Sequence, residues 1–395
     1  MQSRYFQSFI LAATLAAATG CSSYMSSGTT TTTMPTAPAS VISQLSTVTT
    51  IGSTVDAGNN DANPYGLAIV PSTVAPTVVN SSLTVNPGDL VVCNFNSSSS
   101  SGTGMGTTVE DLKPMAGSMP VRIAQSTMLQ GCDALAVNPG GLFIWAAAYT
   151  ANDNPVVTPT GAVTTAPTSS YTWTQPWGQI FGSPTPAAGS TASSPSAFYI
   201  SNAMDGSIVQ ALVSAKPIAY TKIITGFPVS VSPTYGILAP AGLTYNPASD
   251  TLYVVSSDTN SVFAFSNVST YVAGGVNITF TPGTSSGGAY PTTTSAAFAF
   301  SGPDAANAKV IFSGAPLNYP VSSALLYNGD LIVGNTGDNN MVEISPSTMA
   351  VVGTKLVDTK ASGAIFGIAT TGTSVATQKI YFNDDNTNSV MAISQ

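Results

Sequence analysis

The chain has 395 residues, of which 43% are hydrophobic and only 7% are charged, and its formal net charge is −8 at pH 7. Its Lys and Arg residues are scattered singly, which argues against nucleic acid as a partner, because that binding rests on clustered cations. A mean hydropathy of +0.26 argues against disorder, since disordered chains combine low hydrophobicity with high charge. Histidine is absent, so few side chains titrate between about pH 5 and 8, and we expect tolerance of acidic surroundings.

Residues 1–20 predict an export signal. The apolar run from Phe6 to Ala18 is too short for a comfortable membrane span. The following Ala18-Thr19-Gly20-Cys21 resembles the bacterial lipobox, although that pattern prefers Leu at the position of Ala18. The resemblance implies cleavage before Cys21, a lipid on its sulfur and, because Ser22 follows instead of Asp, location at the outer membrane or surface of a Gram-negative bacterium. An ordinary secretory signal with an incidental cysteine is the alternative.

Residues 21–40 are rich in Ser and Thr and contain Pro35 and Pro38. That composition cannot form a core and indicates a flexible tether. We therefore expect the folded domain to span residues 41–395 and to be held at the membrane through the lipid on Cys21.

Six copies of one pattern follow the tether. Each copy has an apolar strand, a turn rich in Asn, Asp, Gly and Ser, and a second apolar strand, as in residues 252–265. The second strands start near Leu90, Leu142, Phe198, Leu252, Leu331 and Ile380, at separations of 52, 56, 54, 79 and 49 residues. A repeat of this length predicts four strands per unit, and the one long interval predicts an insertion within residues 273–308.

Short strands without helical periodicity predict an all-β chain. Six four-stranded units arranged radially make a β-propeller, with seven blades as the alternative count. The last unit ends at residues 390–393 and lacks a fourth strand. We expect the strand-like residues 41–51 to supply that strand and close the ring, which pairs an edge that would otherwise aggregate.

The repeats resemble the NHL/YVTN group of bacterial β-propellers over residues 41–395. The resemblance rests on first strands such as Gly66-Leu67-Ala68-Ile69-Val70-Pro71, on second strands such as Leu252-Tyr253-Val254, and on the Asn/Asp turns. The copies are degenerate, since Trp145-Ala146-Ala147 replaces the usual polar turn of the second unit. Such motifs are specific for the fold and weak for function.

Some propellers of this kind are lactonases or lyases, and the resemblance implies for them an axial metal held by carboxylates and amides, or a histidine base. This chain has no histidine. We expect the first strands to line the axis at Gly66, Asp133, Ser196, Gly242, Ser323 and Gly367, with the third of these the least well defined. Asp133 is the one acid among them, and one carboxylate does not hold a catalytic metal. We therefore expect no metal and no cofactor.

The Asn and Asp residues of the turns have two possible roles, as calcium ligands or as residues that stabilise the turns. Calcium requires six to eight converging oxygens, and the chain has no Asp-x-Asp-x-Asp-Gly loop. Asn and Asp in turns usually hydrogen-bond their own backbone, which we favour. The residues concerned are Asn202, Asp205, Asp258, Asn335, Asp338, Asn383, Asp384 and Asp385.

Two cysteines remain after Cys21. Cys93 lies in a predicted second strand and Cys132 opens the next repeat. Export permits a disulfide between them, provided that their Cα atoms approach within about 7 Å. Two buried free thiols are the alternative.

Two of the three tryptophans lie in residues 171–177. Tyr171, Trp173 and Trp177 could stack on a sugar ring or anchor a partner if they lie on an exposed loop. Packing of Tyr171 and Trp173 within an outer strand is the interpretation that we favour.

Together these features predict a lipid-anchored propeller of the cell envelope that acts as a non-catalytic binding or scaffold module for a protein or a glycan. The prediction of a binding role rests on the fold alone. The alternatives are a propeller-type hydrolase, lactonase or lyase with an axial metal site, and a surface or adhesion protein.

Overall fold

The computed structural model describes residues 39–98, 102–165, 171–184, 197–213, 218–234, 236–282 and 297–395. These residues form a six-bladed β-propeller in which each blade has four antiparallel strands and blade 3 has two further strands. The blades follow the chain order, and each begins with its innermost strand. From the axis outwards the strands are, in blade 1, Ala62–Ile69, Leu90–Asn96, Thr108–Leu112 and Val121–Gln125; in blade 2, Cys132–Val137, Ile144–Ala148, Val156–Val157 and Val163–Thr164; in blade 3, Pro176–Gly182, Ala197–Asn202, Ser207–Leu212 and Tyr220–Thr225; in blade 4, Pro240–Asn246, Thr251–Ser256, Ser261–Ser266 and Ala308–Ser313; in blade 5, Pro320–Leu325, Leu331–Asn335, Asn340–Ser345 and Ala350–Leu356; and in blade 6, Ile365–Thr371, Lys379–Asp384, Ser389–Ser394 and Thr47–Ser53.

The remaining elements are short. Two small hairpins pair Thr77–Val79 with Leu83–Val85 and Ser230–Ser232 with Gly236–Leu238. A four-residue α-helix covers Val41–Gln44, and 3₁₀ turns cover Thr127–Leu129, Ala203–Asp205, Val268–Thr270, Ala305–Asn307 and Asp385–Thr387.

The core consists of layers between neighbouring blades. In the second strand of blade 1, Val91 and Cys93 pack against blade 2, whereas Leu90 and Val92 pack against blade 6. Side chains alternate between the two faces of a strand, and here both faces are covered. That explains why the second strands read as unbroken apolar runs.

The ring closes as the sequence predicts, because Thr47–Ser53 pairs antiparallel with Ser389–Ser394. The prediction of a strand over residues 41–51 was wrong at its start, where Val41–Gln44 is helical. The reason is Glu343, whose buried carboxylate accepts hydrogen bonds from the backbone nitrogens of Val41 at 2.9 Å and Ile42 at 2.8 Å.

The predicted insertion lies in blade 4, between its third and outermost strands. It forms a hairpin of Val276–Thr281 and Ala297–Ser301. The hairpin leaves its own blade and joins blade 3, where Val276–Thr281 pairs in parallel with Tyr220–Thr225. Blade 3 thereby becomes a six-stranded sheet.

The two cysteines of the folded domain join blades 1 and 2. Cys93 lies in the second strand of blade 1 and Cys132 begins the innermost strand of blade 2, and the structure has a disulfide between them with Cα atoms 6.0 Å apart. This bond fixes two neighbouring blades to each other close to the axis.

Candidate functional site

Every innermost strand has one β-bulge near its start. The register shifts there because residues on the innermost strand outnumber those opposite them on the second strand. A bulge re-aims a side chain. Each register shift begins at the first residue of one of the tripeptides Pro64-Tyr65-Gly66, Cys132-Asp133-Ala134, Pro176-Trp177-Gly178, Pro240-Ala241-Gly242, Pro320-Val321-Ser322 and Ile365-Phe366-Gly367, and in blades 3, 4 and 6 it extends one residue further.

Small third residues in these tripeptides allow neighbouring blades to touch at the axis. A Cβ atom added to Gly178 would lie 1.9 Å from the carbonyl oxygen of Ala241. One added to Gly242 would lie 2.7 Å from the Cα atom of Ser322. The middle residues of the tripeptides are therefore held next to one another by close backbone packing.

A cavity of about 430 Å³, here called the axial pocket, opens where the innermost strands begin. Its lining includes the middle residues of four of the six tripeptides: Tyr65, Trp177, Val321 and Phe366. The hairpin Ser230–Ser232 and Gly236–Leu238 contributes Ile237 and Leu238.

Five half-buried aromatic rings form a continuous arc in this lining. Phe366 stacks on Tyr65 with ring centroids 3.6 Å apart, and Tyr65 stacks on Phe95 at 4.2 Å. Phe95 contacts Tyr149 at 6.5 Å, and Tyr149 meets Trp177 edge-on at 5.9 Å. The arc thus runs through blades 6, 1, 2 and 3.

Asp385 supplies one carboxyl group to the axial pocket. Burial raises its pKa to about 7, and the neighbouring Asp384 adds to the shift. The amide of Asn63 lies against the same carboxylate. Burial also raises the pKa of Tyr65, with further contributions from Asp385 and Asp133.

A narrower space of about 70 Å³, here called the shaft, continues from the axial pocket. Tyr65, Trp177, Val321 and Phe366 line both spaces. All six innermost strands contribute to the shaft, including the positions expected from the sequence at Gly66, Asp133, Gly242, Ser323 and Gly367.

The third strand position was placed wrongly from the sequence. Blade 3 lines the shaft through Trp177, Gly178 and Gln179 of its innermost strand, Pro176–Gly182. Ser196, which the repeat spacing suggested, lies outside the described residues. Phe198 had been placed in the second strand, and Ala197–Asn202 is that strand.

Asp133 is the acidic residue among those that line the shaft. Its exposed fraction is 5%, and neither carboxyl oxygen has a hydrogen-bond partner among the described residues. Burial raises its pKa well above the usual range. By contrast, Gln179 donates to the carbonyl oxygens of Ala134 at 2.9 Å and Trp145 at 2.6 Å, and Ser323 shares a 2.7 Å hydrogen bond with Thr244.

The three aromatic residues proposed for ligand stacking lie in two different places. Trp173 is only 5% exposed and packs edge-on against Tyr171 and Tyr220, with centroids 4.7 Å and 5.1 Å away. That burial leaves its ring faces unavailable to a ligand. Trp177 instead lines the axial pocket, because the bulge of its strand directs it there.

The polar turn residues make hydrogen bonds within the protein. The Asn383 amide donates to the Tyr65 carbonyl oxygen at 3.0 Å, the Asp338 carboxylate accepts from the Asn340 backbone nitrogen at 3.0 Å, and Asp205 pairs with Lys222. Within the described ranges, no three His, Cys, Asp or Glu residues are grouped so as to hold a metal ion.

Cys21 lies outside the described residues, so the predicted lipidation stays a prediction. In the part of the chain from residue 39 onwards that the structure describes, no helix is long and apolar enough to span a membrane.

The chain is similar in structure to several solved propellers. It matches a gluconolactonase from Xanthomonas campestris at a TM-score of 0.50 and 9% identity, over 89% of this chain and 98% of that one. It also matches virginiamycin B lyase from Staphylococcus aureus at 0.48 and 12%, over 88% and 99%, and a chain of a nidogen/laminin complex at 0.44 and 13%, over 75% and 80%. No family model and no curated protein matches. At these identities the likeness shows the β-propeller fold alone.

Proposed function

We propose that this protein is a non-catalytic binding propeller that takes a ring-bearing group of a glycan or other envelope molecule into its axial pocket. The observation that carries the proposal is the arc from Phe366 to Trp177, five partly exposed aromatic rings that line one cavity. Phe366 and Phe95 stack on Tyr65, so a ligand would meet the other rings of the arc. Partly exposed aromatic rings at a concave site favour stacking on a ligand. A volume of about 430 Å³ lies within the usual range for small-molecule sites.

Ligand-observed NMR tests this proposal with two neutral probes, phenethyl alcohol and cellobiose. Saturation transfer from the full-length protein should reach the ring protons of at least one probe, and Trp177→Ala should abolish the transfer. Phe143→Ala is the matched control, because Phe143 is 41% exposed and lies outside the pocket lining. Transfer that survives Trp177→Ala, or that Phe143→Ala removes equally, would overturn the proposed site.

An envelope hydrolase or lyase is the second candidate, and Asp385 is the observation that favours it. A carboxyl with a pKa of about 7 in a cavity suits general acid–base chemistry at neutral pH. The test is hydrolysis of gluconolactone by the wild type and by Asp385→Asn. Turnover that is lost in Asp385→Asn would support the enzyme, whereas equal background rates for the two proteins would support binding without catalysis.

We also propose that the protein is exported and lipid-anchored through Cys21. The support is the sequence of residues 18–21. Expression in a Gram-negative host should place the wild type in the outer-membrane fraction with a lipid mass on its N-terminal peptide. Cys21→Ala should release the protein from that fraction, and a variant that stays membrane-bound would contradict the anchor.

A further inference from the structure

We infer that the ligand of the axial pocket carries a primary ammonium group, which enters the shaft and meets Asp133 while the rest of the ligand stays among the aromatic rings. The inference rests on the proposed binding function and names the chemical class of its ligand.

The first support is the sign of the charges along the axis. Asp385 lies in the axial pocket and Asp133 in the shaft, and the described residues that line the two spaces include no Lys or Arg. A phosphate or carboxylate ligand would therefore approach two acids without a compensating cation. An ammonium ligand gains a favourable interaction with both, and the aromatic rings around the entrance add cation–π attraction.

The second support is the isolation of Asp133. Burying a carboxyl group without a hydrogen-bond partner is costly, and proteins usually provide partners for such groups. In the same shaft Gln179 and Ser323 have hydrogen-bond partners, whereas the Asp133 carboxyl oxygens and the Ser322 hydroxyl have none among the described residues. A primary ammonium offers three N–H donors to the two carboxyl oxygens of Asp133. Its positive charge favours the ionised form of the acid, so its arrival would release the carboxyl proton to the solvent and leave an ammonium–carboxylate pair.

The third support is the size of the two spaces. The shaft, at about 70 Å³, has room for a group of about the size of a water molecule, which occupies roughly 30 Å³ in the liquid, but not for a ring. The axial pocket, at about 430 Å³, has room for a ring. The sizes of the two spaces therefore orient an amphipathic amine, with its small charged end in the shaft and its ring in the axial pocket.

The test is calorimetric titration of the full-length protein with three probes of the same shape: phenethylamine, phenethyl alcohol and the anion hydrocinnamate. At about pH 8, above the pKa of about 7 of Asp385, the amine should bind about tenfold or more tightly than the alcohol, since hydrogen bonds to charged groups contribute about 1.5–3 kcal/mol. Hydrocinnamate should not bind.

Asp133→Asn isolates the role of the buried carboxyl. We expect this variant to fold, because it removes an uncompensated acid, and its thermal melt checks that. Its affinity for the amine should fall about tenfold, while its affinity for the alcohol stays unchanged. Equal affinities of the wild type for amine and alcohol, or a preference for amine that is as large in Asp133→Asn as in the wild type, would overturn the inference and leave the binding pocket standing. Binding of neither probe would overturn the binding pocket as well.

Discussion

Tyr65 and Phe366 stack with their rings 3.6 Å apart and 10° from parallel. The two residues belong to the first and the last blade, so their contact crosses the seam of the ring. The outermost strand of blade 6, Thr47–Ser53, is what closes that seam. The aromatic arc, and with it the candidate site, therefore depends on how firmly the N-terminal segment is held.

Glu343 holds the N-terminal segment. It is fully buried and accepts hydrogen bonds from Ser40, Val41 and Ile42. Glu343→Ala leaves two backbone N–H groups buried without acceptors, and we predict a loss of about 3 kcal/mol in the free energy of unfolding. Urea denaturation measures it. Met119→Ala, at a side chain 74% exposed, is the control and should change stability by less than about 0.5 kcal/mol. Equal effects of the two substitutions would show that Glu343 does not hold the segment.

Replacing Trp173 and Trp177 by Ala should lower the stability of the protein by different amounts. Trp173 is packed among Phe198, Ile200 and Val209, so Trp173→Ala should cost about 3–5 kcal/mol of stability. Trp177 is partly exposed at the axial pocket, so Trp177→Ala should cost about 1 kcal/mol and act on ligand binding instead. Denaturant melts of both variants check this prediction. A larger destabilisation by Trp177→Ala would mean that Trp177 is a core residue.

The disulfide between Cys93 and Cys132 should contribute to stability. The two residues are 39 positions apart, and a cross-link over a loop of that length stabilises by about 3–4 kcal/mol in the chain-entropy model. We predict that the double variant Cys93→Ala with Cys132→Ala loses about 3–4 kcal/mol in the free energy of unfolding and therefore unfolds at a lower urea concentration. Mass spectrometry after alkylation of the protein unfolded in denaturant without reductant is the accompanying check, because both cysteines are buried in the native state, and alkylation of both would contradict the bond.

The free energy of unfolding should decrease as the pH rises, and we expect the titration of Glu110 to contribute to this decrease. Burial raises the pKa of Glu110 to about 9, and the neighbouring Asp56 adds to the shift. Between its unfolded value of about 4.5 and its folded value of about 9, the native state binds a proton that the unfolded state has lost. Its contribution to stability is therefore fully present below about pH 4.5 and is lost as the pH rises through 9.

Chemical denaturation at several pH values between about 5 and 9 measures this slope. Glu110→Gln should flatten it, because a neutral amide replaces the neutral acid at every pH. Met119→Ala, which removes no titratable group, is the control and should keep the wild-type slope. A slope that is unchanged in Glu110→Gln would contradict the assignment to Glu110.

The second strands were predictable because burial on both faces produces apolar runs such as Leu252-Tyr253-Val254-Val255. Ring closure was predictable because the last unit lacked a strand. The innermost strand of blade 3 was missed because Trp177 lies between Pro176 and Gly178, residue types that are typical of turns and loops. The tripeptide Pro176-Trp177-Gly178 could have identified it, since Pro64-Tyr65-Gly66 and Pro240-Ala241-Gly242 repeat the same form.

The aromatic arc was beyond the reach of repeat spacing. Phe95 and Tyr149 belong to second strands or their turns, and bulges bring Tyr65 and Phe366 to them from different blades. Sequence periodicity predicts which face of a strand is buried, but a bulge reverses that alternation locally. Sequence spacing also cannot predict that the Asp133 carboxyl has no hydrogen-bond partner among the described residues, because residues from all six innermost strands surround it.

Fluorine NMR of the full-length protein labelled with fluorotryptophan tests the central claim, that the axial pocket binds ligand, most directly. The chain has three tryptophans, and Trp145 and Trp173 are buried while Trp177 faces the axial pocket. On titration with phenethylamine, the resonance that disappears in Trp177→Phe should shift, and the other two should stay in place. A stationary Trp177 signal at saturating probe, or shifts confined to Trp145 and Trp173, would contradict the claim.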